Sequence, residues 1–178
     1  MNNKELFKEE KKIGSGDIHE LSGGKYTLII STYQIGEDKD NYWKYTKGEV
    51  YDNNSHKTIF EIERNYPDFW HVFIQHPNGN DYLLAGRDYH GGYSVFDLTN
   101  LKEYEYKPEP KHKYEEFFCW VNVRYYKEDK PLTIEVEGCY WGAEFEMVTF
   151  DFSNPTKLPL TEISRRLYDE DDYEEDDE

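Results

Sequence analysis

Along much of the chain, apolar and polar side chains alternate over short segments. Residues 133–137, Thr-Ile-Glu-Val-Glu, are the clearest case, because every second side chain is apolar. This period of two predicts strands with one face in a core and the other in solvent. Residues 117–121 are instead apolar throughout, which is typical of a strand covered on both faces. Nine segments of these two kinds are expected to be strands: residues 25–33, 41–52, 57–64, 69–76, 81–86, 92–99, 115–126, 131–138 and 144–153.

The residues between these segments favour short turns. Glycine, asparagine, serine and proline cluster there, as in residues 53–55, 77–80 and 91–92, and these residue types are the ones that tight turns require. Connections this short join antiparallel neighbours. Only Ala85 and Ala143 supply alanine, whereas Tyr accounts for 17 residues, and this composition favours strands over helices. The pattern predicts an all-β fold.

Two parts of the chain repeat one another. Residues 86–100 and 138–154 both begin with Gly, continue through an aromatic turn to a second Gly, and end with Phe-Asp-apolar-hydroxyl-Asn. Phe96 and Phe150 are therefore expected at equivalent buried positions. A weaker third copy is predicted earlier in the chain, with Phe60-Glu61-Ile62 in place of the Phe-Asp step. The spacing of these copies is close to that of four-stranded propeller blades.

The repeats suggest how the chain is divided. We expect an N-terminal extension, a single all-β domain and a disordered acidic tail at residues 1–22, 23–167 and 168–178. The domain holds about three units, at residues 25–65, 69–106 and 115–163. Because a closed propeller has four to eight blades, we predict an open, propeller-like array of antiparallel four-stranded units, or one completed by a partner. A β-sandwich or open barrel is the alternative.

Residues 136–160 carry a Gly-Cys-Tyr-Trp-Gly turn, a Phe-Asp-Phe-Ser-Asn-Pro strand and a final Leu-Pro-Leu. Together with residues 91–98 and 117–123, they resemble a group of uncharacterised, mainly bacterial proteins with propeller-like repeats. The resemblance covers residues 70–163. It implies the fold and brings no known activity.

Charge separates the end of the chain from the rest. The formal net charge is −17, and residues 168–178 hold nine acidic residues and no basic one, which leaves −8 for residues 1–167. Such a run repels itself and is expected to be disordered. We interpret it as a solubilising tail, with docking or nucleic-acid mimicry as the alternative. No apolar run approaches the 20 or so residues of a membrane span, so a cytoplasmic protein is expected.

No catalytic signature emerges from the motifs. Gly14-Ser15-Gly16 lacks the context of a phosphate-binding loop and is interpreted as a flexible turn. The six histidines show no metal-ligand spacing, and His71 and His76, five residues apart, belong on opposite faces of a regular strand. No metal and no cofactor are therefore predicted. Cys119 and Cys139 are expected to be reduced and packed, and a single bridge between them is left open.

The best candidate sites are the equivalent turns of the two clearest copies. Polar and aromatic side chains gather there on one rim, where loops on a rigid scaffold often bind ligands; the candidates are Asp88, Tyr89, His90, Glu137, Tyr140 and Trp141. The alternative is that the aromatic members pack between sheets. Asp97 and Asp151, with Glu61 in the weaker copy, are expected to cap turns by accepting backbone N–H bonds.

These observations favour a non-enzymatic binding or protein-interaction module. One alternative is an acidic inhibitor or immunity-type protein that masks a basic toxin or nuclease. Another is a hydrolase-like enzyme that uses Asp88 with His90 and Glu137 with Tyr140. With 21 basic against 38 acidic residues, direct nucleic-acid binding is disfavoured and a basic protein is the better partner. A homodimer is also predicted, because an open array leaves unpaired strand edges.

Overall fold

The computed structural model describes residues 6–36, 43–86, 92–109, 119–125, 132–139 and 143–168. These residues form one short 3-10 turn (Glu9–Lys11) and twelve strands. The strands are β1 (Lys12–Leu21), β2 (Tyr26–Ile35), β3 (Trp43–Asp52), β4 (Lys57–Arg64), β5 (His71–Gln75), β6 (Asp81–Ala85), β7 (Tyr93–Asp97), β8 (Lys102–Tyr106), β9 (Cys119–Arg124), β10 (Thr133–Cys139), β11 (Glu146–Asp151) and β12 (Thr161–Leu167).

The strands form three antiparallel sheets of four strands each. Sheet 1 contains β1 to β4, sheet 2 contains β5 to β8 and sheet 3 contains β9 to β12, and within each sheet every strand pairs with its neighbour in sequence. None of these described sheets closes into a barrel. The predicted all-β, propeller-like array of four-stranded units is thus confirmed, and each of the nine predicted segments contains a strand.

Sheet 1 differs from its predicted unit in two respects. Its first strand, β1, lies within residues 1–22, which the sequence analysis assigned to an extension, so the sheet begins before residue 25. The weaker copy is also misaligned, since Phe60 lies on the fourth strand of its sheet. Phe96 and Phe150 lie on third strands. The Phe60-Glu61-Ile62 segment therefore does not correspond structurally to the two Phe-Asp steps.

Gly14-Ser15-Gly16 is not a turn but an irregularity inside β1. The register between β1 and β2 shifts between Ile13 and Asp17, and both glycines have a positive φ, +75° and +79°. L-residues with side chains rarely adopt this conformation, which is why glycine marks bulges of this kind. The prediction of a flexible turn was wrong because the strand continues on both sides of the bulge.

Two apolar cores lie between the three sheets. One joins sheet 1 to Leu83, Ala85, Phe96 and Leu98 of sheet 2 and the turn after β7. The other joins the opposite face of sheet 2, including Tyr82, Leu84, Tyr93 and Val95, to sheet 3. Every residue of β7, and all but the first of β6, is buried. Sheet 2 is therefore the middle layer, with a neighbour on each face.

The two clearest copies are structurally equivalent. Phe96 pairs with Leu83 on β6, and Phe150 pairs with Ile134 on β10. Phe96 belongs to the core shared with sheet 1 and Phe150 to the core shared with sheet 2. Each Phe thus faces the preceding sheet, and both are buried, at 0% and 7% exposure. The prediction of equivalent buried positions is confirmed.

Hydrogen bonds between sheets follow the same repeat. The hydroxyl of Tyr26 donates to the carbonyl of Leu98 at 3.3 Å, and Nε2 of His76 lies 3.1 Å from the carbonyl of Phe152. Leu98 and Phe152 both follow the Asp of the Phe-Asp step. Because a carbonyl only accepts, Nε2 of His76 carries a proton, and its Nδ1 accepts the N–H of Asn78. Sheet 1 and the turn after β5 in sheet 2 therefore each donate a side-chain hydrogen bond to the equivalent carbonyl of the following unit.

A candidate cleft along the first strands

Most of the predicted site residues lie outside the described part of the chain. Of the six, the structure describes only Glu137, which is half-buried on β10 between Asn122 of β9 and Met147 of β11. The other five, Asp88, Tyr89, His90, Tyr140 and Trp141, fall in residues 87–91 and 140–142. A site at the repeat turns therefore stays a prediction.

The structure brings together a different set of residues. A cleft of about 440 Å³ lies where the first strands of all three sheets contribute side chains. Strands β5 and β9 are in contact there. The residues that line the cleft are Asp17 and His19 of β1, Ile30 and Thr32 of β2, Thr46 of β3, Pro67, Asp68, Phe69 and Trp70 before β5, His71 of β5, and Val121 and Asn122 of β9.

The bulge in β1 shapes one wall of the cleft. Asp17 is the first residue paired after the register shift, opposite Ile30, and His19 follows two residues later, opposite Leu28. Bulges change the direction in which the following side chains point. A Cβ at Gly16 would lie 3.0 Å from the carbonyl oxygen of Ile30. Glycine at this position therefore permits both the backbone conformation and the close approach of β2.

A short segment between β4 and β5 forms the second wall. The hydroxyl of Thr46 donates to the carbonyl of Tyr66 at 2.8 Å. The guanidinium of Arg64 donates through Nε to the carbonyl of Asp68 and lies 5.9 Å from the Trp70 ring centroid. These contacts hold the segment against sheets 1 and 2, so that its aromatic side chains have defined positions.

Two glycines make room for this aromatic wall. A Cβ at Gly86 would lie 2.2 Å from Nη1 of Arg64 and 2.8 Å from the Trp70 ring, and a Cβ at Gly48 would lie 2.6 Å from the Phe69 ring. All three distances are shorter than the contacts that real Cβ atoms make. Gly86, which begins the repeated motif in the sequence, therefore also accommodates the cleft wall.

Two imidazoles meet across the cleft. The rings of His19 and His71 are 4.8 Å apart between centroids, in an edge-to-face arrangement. Burial lowers the pKa of His71, the neighbouring His19 lowers it further, and a hydrogen bond with the backbone of Phe69 opposes them. His71 is therefore a neutral imidazole at pH 7, which can donate or accept a hydrogen bond without adding positive charge to the cleft.

The structure separates His71 from the other histidine of its strand region. His76 contacts Tyr82 and Phe152 at the sheet 2 to sheet 3 boundary, whereas His71 contacts His19 and Phe69. Within the described ranges, no group of three or more His, Cys, Asp or Glu side chains is arranged to hold a metal ion. The paired imidazoles of the cleft thus lack the additional protein ligands of a typical zinc site.

Two carboxylates lie at the rim of the cleft. Asp17 and Asp68 are both exposed. In the part of the chain that the structure describes, neither carboxylate forms an ion pair or a side-chain hydrogen bond. No Lys or Arg is among the described residues that line the cleft. The rim therefore presents negative charge beside an aromatic wall.

The cleft is not evident from the sequence, because its residues are scattered from position 17 to position 122. The only local signal is the run Phe69-Trp70-His71 at the start of the second unit. Its pairing with Asp17 and His19 depends on β1, which the sequence pattern did not identify.

Comparison with known proteins gives one informative relative. No protein-family model matches the chain. The chain is 30% identical over 170 residues, 96% of its length, to the uncharacterised protein R762 of Acanthamoeba polyphaga mimivirus, and the match covers 63% of that viral protein. The relative is uncharacterised, as the resemblance implied, but it is viral rather than bacterial. Within the described ranges, no helix has the length and apolar character needed to cross a membrane.

Proposed function

We propose that the protein is a non-enzymatic binding module whose cleft accepts a basic segment of a protein partner. The observation that carries this proposal is the composition of the cleft. It combines the carboxylates of Asp17 and Asp68 with the aromatic side chains of Phe69 and Trp70, and no described lining residue is Lys or Arg. Carboxylates attract an ammonium or guanidinium group, and the aromatic wall already holds one guanidinium, that of Arg64, 5.9 Å from the Trp70 ring centroid.

The overall charge supports the same partner chemistry. The whole chain carries −17, and residues 1–167 still carry −8. A negative surface raises the local concentration of a basic partner and increases the rate of encounter. The neutral state of His71 at pH 7 matters here, because an imidazolium in the cleft would repel a cation.

The arrangement of the cleft favours binding over catalysis. A nucleophile or a general base needs a partner within hydrogen-bond distance. Among the described lining residues, neither imidazole is hydrogen-bonded to a carboxylate, and the hydroxyl of Thr46 is committed to the carbonyl of Tyr66. The hydrolase-like alternative depends on Asp88, His90 and Tyr140, which lie outside the described residues.

The proposal is tested by calorimetric titration of the full chain with an octa-arginine peptide. An octa-citrulline peptide is the neutral control with the same shape. We expect saturable binding of the arginine peptide only, and a loss of about tenfold in affinity when Asp17 and Asp68 are both replaced by Asn.

A matched variant separates the cleft from the general field of the protein. Glu10 and Glu144 are exposed and lie outside the cleft, so Glu10→Gln with Glu144→Gln removes the same charge. We expect this variant to bind within about twofold of the parent. Equal losses in the two double variants, or no saturable binding by the parent, would contradict the proposed site.

A further inference from the structure

The two cysteines of the chain lie opposite each other on adjacent strands of sheet 3. Cys119 is the first residue of β9, Cys139 is the last of β10, and the two are direct register partners. Opposed Cα atoms in an antiparallel pair are about 4.5–5.5 Å apart, which lies within the range that a disulfide spans. Both cysteines are free and half-exposed, and their side chains are hydrogen-bonded to each other.

We propose that Cys119 and Cys139 form a reversible dithiol–disulfide site that is oxidised by low-molecular-weight disulfides, with oxidised glutathione as the model oxidant. The proposal concerns sheet 3 and is independent of the proposed function of the cleft. The strand register already places the two residues opposite each other.

The hydrogen bond between the thiols assigns different roles to the two cysteines. Burial raises the pKa of both thiols, and the hydrogen bond between them raises that of Cys119 further and partly offsets the rise at Cys139, so the S–H of Cys119 donates to the sulfur of Cys139. Burial, with the neighbouring Cys139, raises the pKa of Cys119 to about 11. Cys139 is therefore the first to ionise and is the attacking thiol, and Cys119 is the resolving thiol.

The reaction proceeds in two exchange steps. The thiolate of Cys139 attacks one sulfur of oxidised glutathione, forms a mixed disulfide and releases one glutathione. Cys119 then loses its proton and attacks the Cys139 sulfur, which forms the protein disulfide and releases the second glutathione. Two protein thiols are oxidised, one glutathione disulfide is reduced, and the two thiol protons pass to the released glutathiones.

Closure should also stabilise the protein. A disulfide restricts the unfolded chain between its two ends, here residues 119 and 139. For a chain of this length, we expect the melting temperature to rise by about 5–10 °C on oxidation and to return on reduction.

The experiment incubates the full chain with mixtures of reduced and oxidised glutathione at about pH 8.5 and measures intact mass under non-reducing conditions. Because the chain has only these two cysteines, an intramolecular disulfide must join them. We expect a monomer that has lost two hydrogen atoms and both titratable thiols. Cys119→Ser should accumulate glutathione on Cys139, and Cys139→Ser should react more slowly.

The double variant Cys119→Ser with Cys139→Ser is the control and should show no oxidant-dependent change in melting temperature. Disulfide-linked dimers, a stable doubly glutathionylated chain, or two thiols that persist in oxidised glutathione would each overturn the proposal. The mass measurement on the parent protein remains decisive even if a serine variant fails to fold.

Discussion

The Phe-Asp step occurs once in the middle sheet and once in the third sheet, with different surroundings. Asp97, at the end of β7, is only 3% exposed. Its Oδ1 accepts the N–H groups of Thr99 and Asn100 at 3.1 and 2.9 Å. Its Oδ2 accepts the side-chain amides of Asn100 and Asn80 at 2.8 and 3.2 Å. Four hydrogen bonds therefore satisfy a buried carboxylate.

Asp151, at the equivalent end of β11, has a simpler environment. It is half-buried, and its Oδ1 accepts the N–H of Ser153 at 2.8 Å. Hydrogen bonds from the hydroxyl and the N–H of Ser153 lower the pKa of Asp151. Both aspartates thus cap the turn that follows their strand, as predicted, whereas Glu61 forms an ion pair with Lys47 at 3.1 Å instead.

Some properties of the Phe-Asp step come from the motif itself, and others come from the position of its sheet in the array. The turn cap is local, because an Asp side chain reaches the N–H two residues ahead in either sheet. Burial is not local. The middle sheet has a neighbour on each face, whereas the last strand of sheet 3, β12, is exposed along its whole length. The motif should therefore contribute more to the free energy of unfolding in sheet 2 than in sheet 3.

The largest effect is expected from truncating the two phenylalanines. Phe96→Ala and Phe150→Ala each remove a buried ring that contacts another aromatic, Phe60 or Trp120, at centroid distances of 5.1 and 5.2 Å. Each should lower the free energy of unfolding by about 3–5 kcal/mol, with the greater loss at Phe96. Urea denaturation measures this, and a loss below about 1 kcal/mol at either site would contradict the repeat.

Substituting the two aspartates should reveal a clearer difference in stability between sheet 2 and sheet 3. Asp97→Ala removes the buried acceptor of four hydrogen bonds and should cost about 2–3 kcal/mol of unfolding free energy. Asp151→Ala should cost less than about 1 kcal/mol, because water can replace the carboxylate. Asp97→Asn keeps one acceptor oxygen and should fall between them. Equal losses for the two alanine variants would show that burial does not determine how much the motif contributes to stability.

Much of the fold could be predicted because its signals are local. Alternation and apolar runs mark nine strands, and the Phe-Asp step marks the third strand of sheets 2 and 3. These features depend on neighbouring residues alone, and neighbouring residues are what a sequence pattern reports.

The rest depends on contacts between distant residues. In β1, the bulge and the exposed Ile13 and Ile18 interrupt any alternation, and only Leu21 of this strand is buried. In β12, no residue is buried, so no periodic signal exists. The cleft is hard to predict for the same reason, because Asp17 and His19 reach it only through the pairing of β1 with β2.

A smaller effect is expected from the burial of His71, on the first strand of the middle sheet, and it should appear in the pH dependence of stability. Because the pKa of His71 is lowered in the folded protein, the unfolded chain binds a proton near pH 6.5 that the folded chain does not bind. Stability is then greatest above pH 6.5 and falls as the pH drops below it. His19, Asp17 and Asp68 share the cleft with this imidazole.

Denaturation of His71→Gln at pH 7.5, 6.5 and 5.5 checks this expectation. The variant should lose less stability than the parent between pH 6.5 and 5.5. His56→Asn is the control, because His56 is exposed in the turn between β3 and β4 and its replacement should leave the slope unchanged. Identical slopes for the parent and His71→Gln would show that burial at this strand does not contribute.

The smallest effect is expected from the acidic tail, which follows sheet 3 directly along the chain. Residues 169–178 lie outside the described residues and hold nine acids, with Tyr173 as their one aromatic side chain. Deleting them should leave the melting temperature within a few degrees at moderate salt, because so little apolar surface is available for docking. At low salt a slight rise is expected, since the remaining −8 no longer faces the charge of the tail. Melting curves at two salt concentrations, with hydrogen exchange of β12, measure the outcome. A fall of more than about 5 °C, or faster exchange in β12, would show that the tail covers the third sheet and that the two sheets are less different than their described residues indicate.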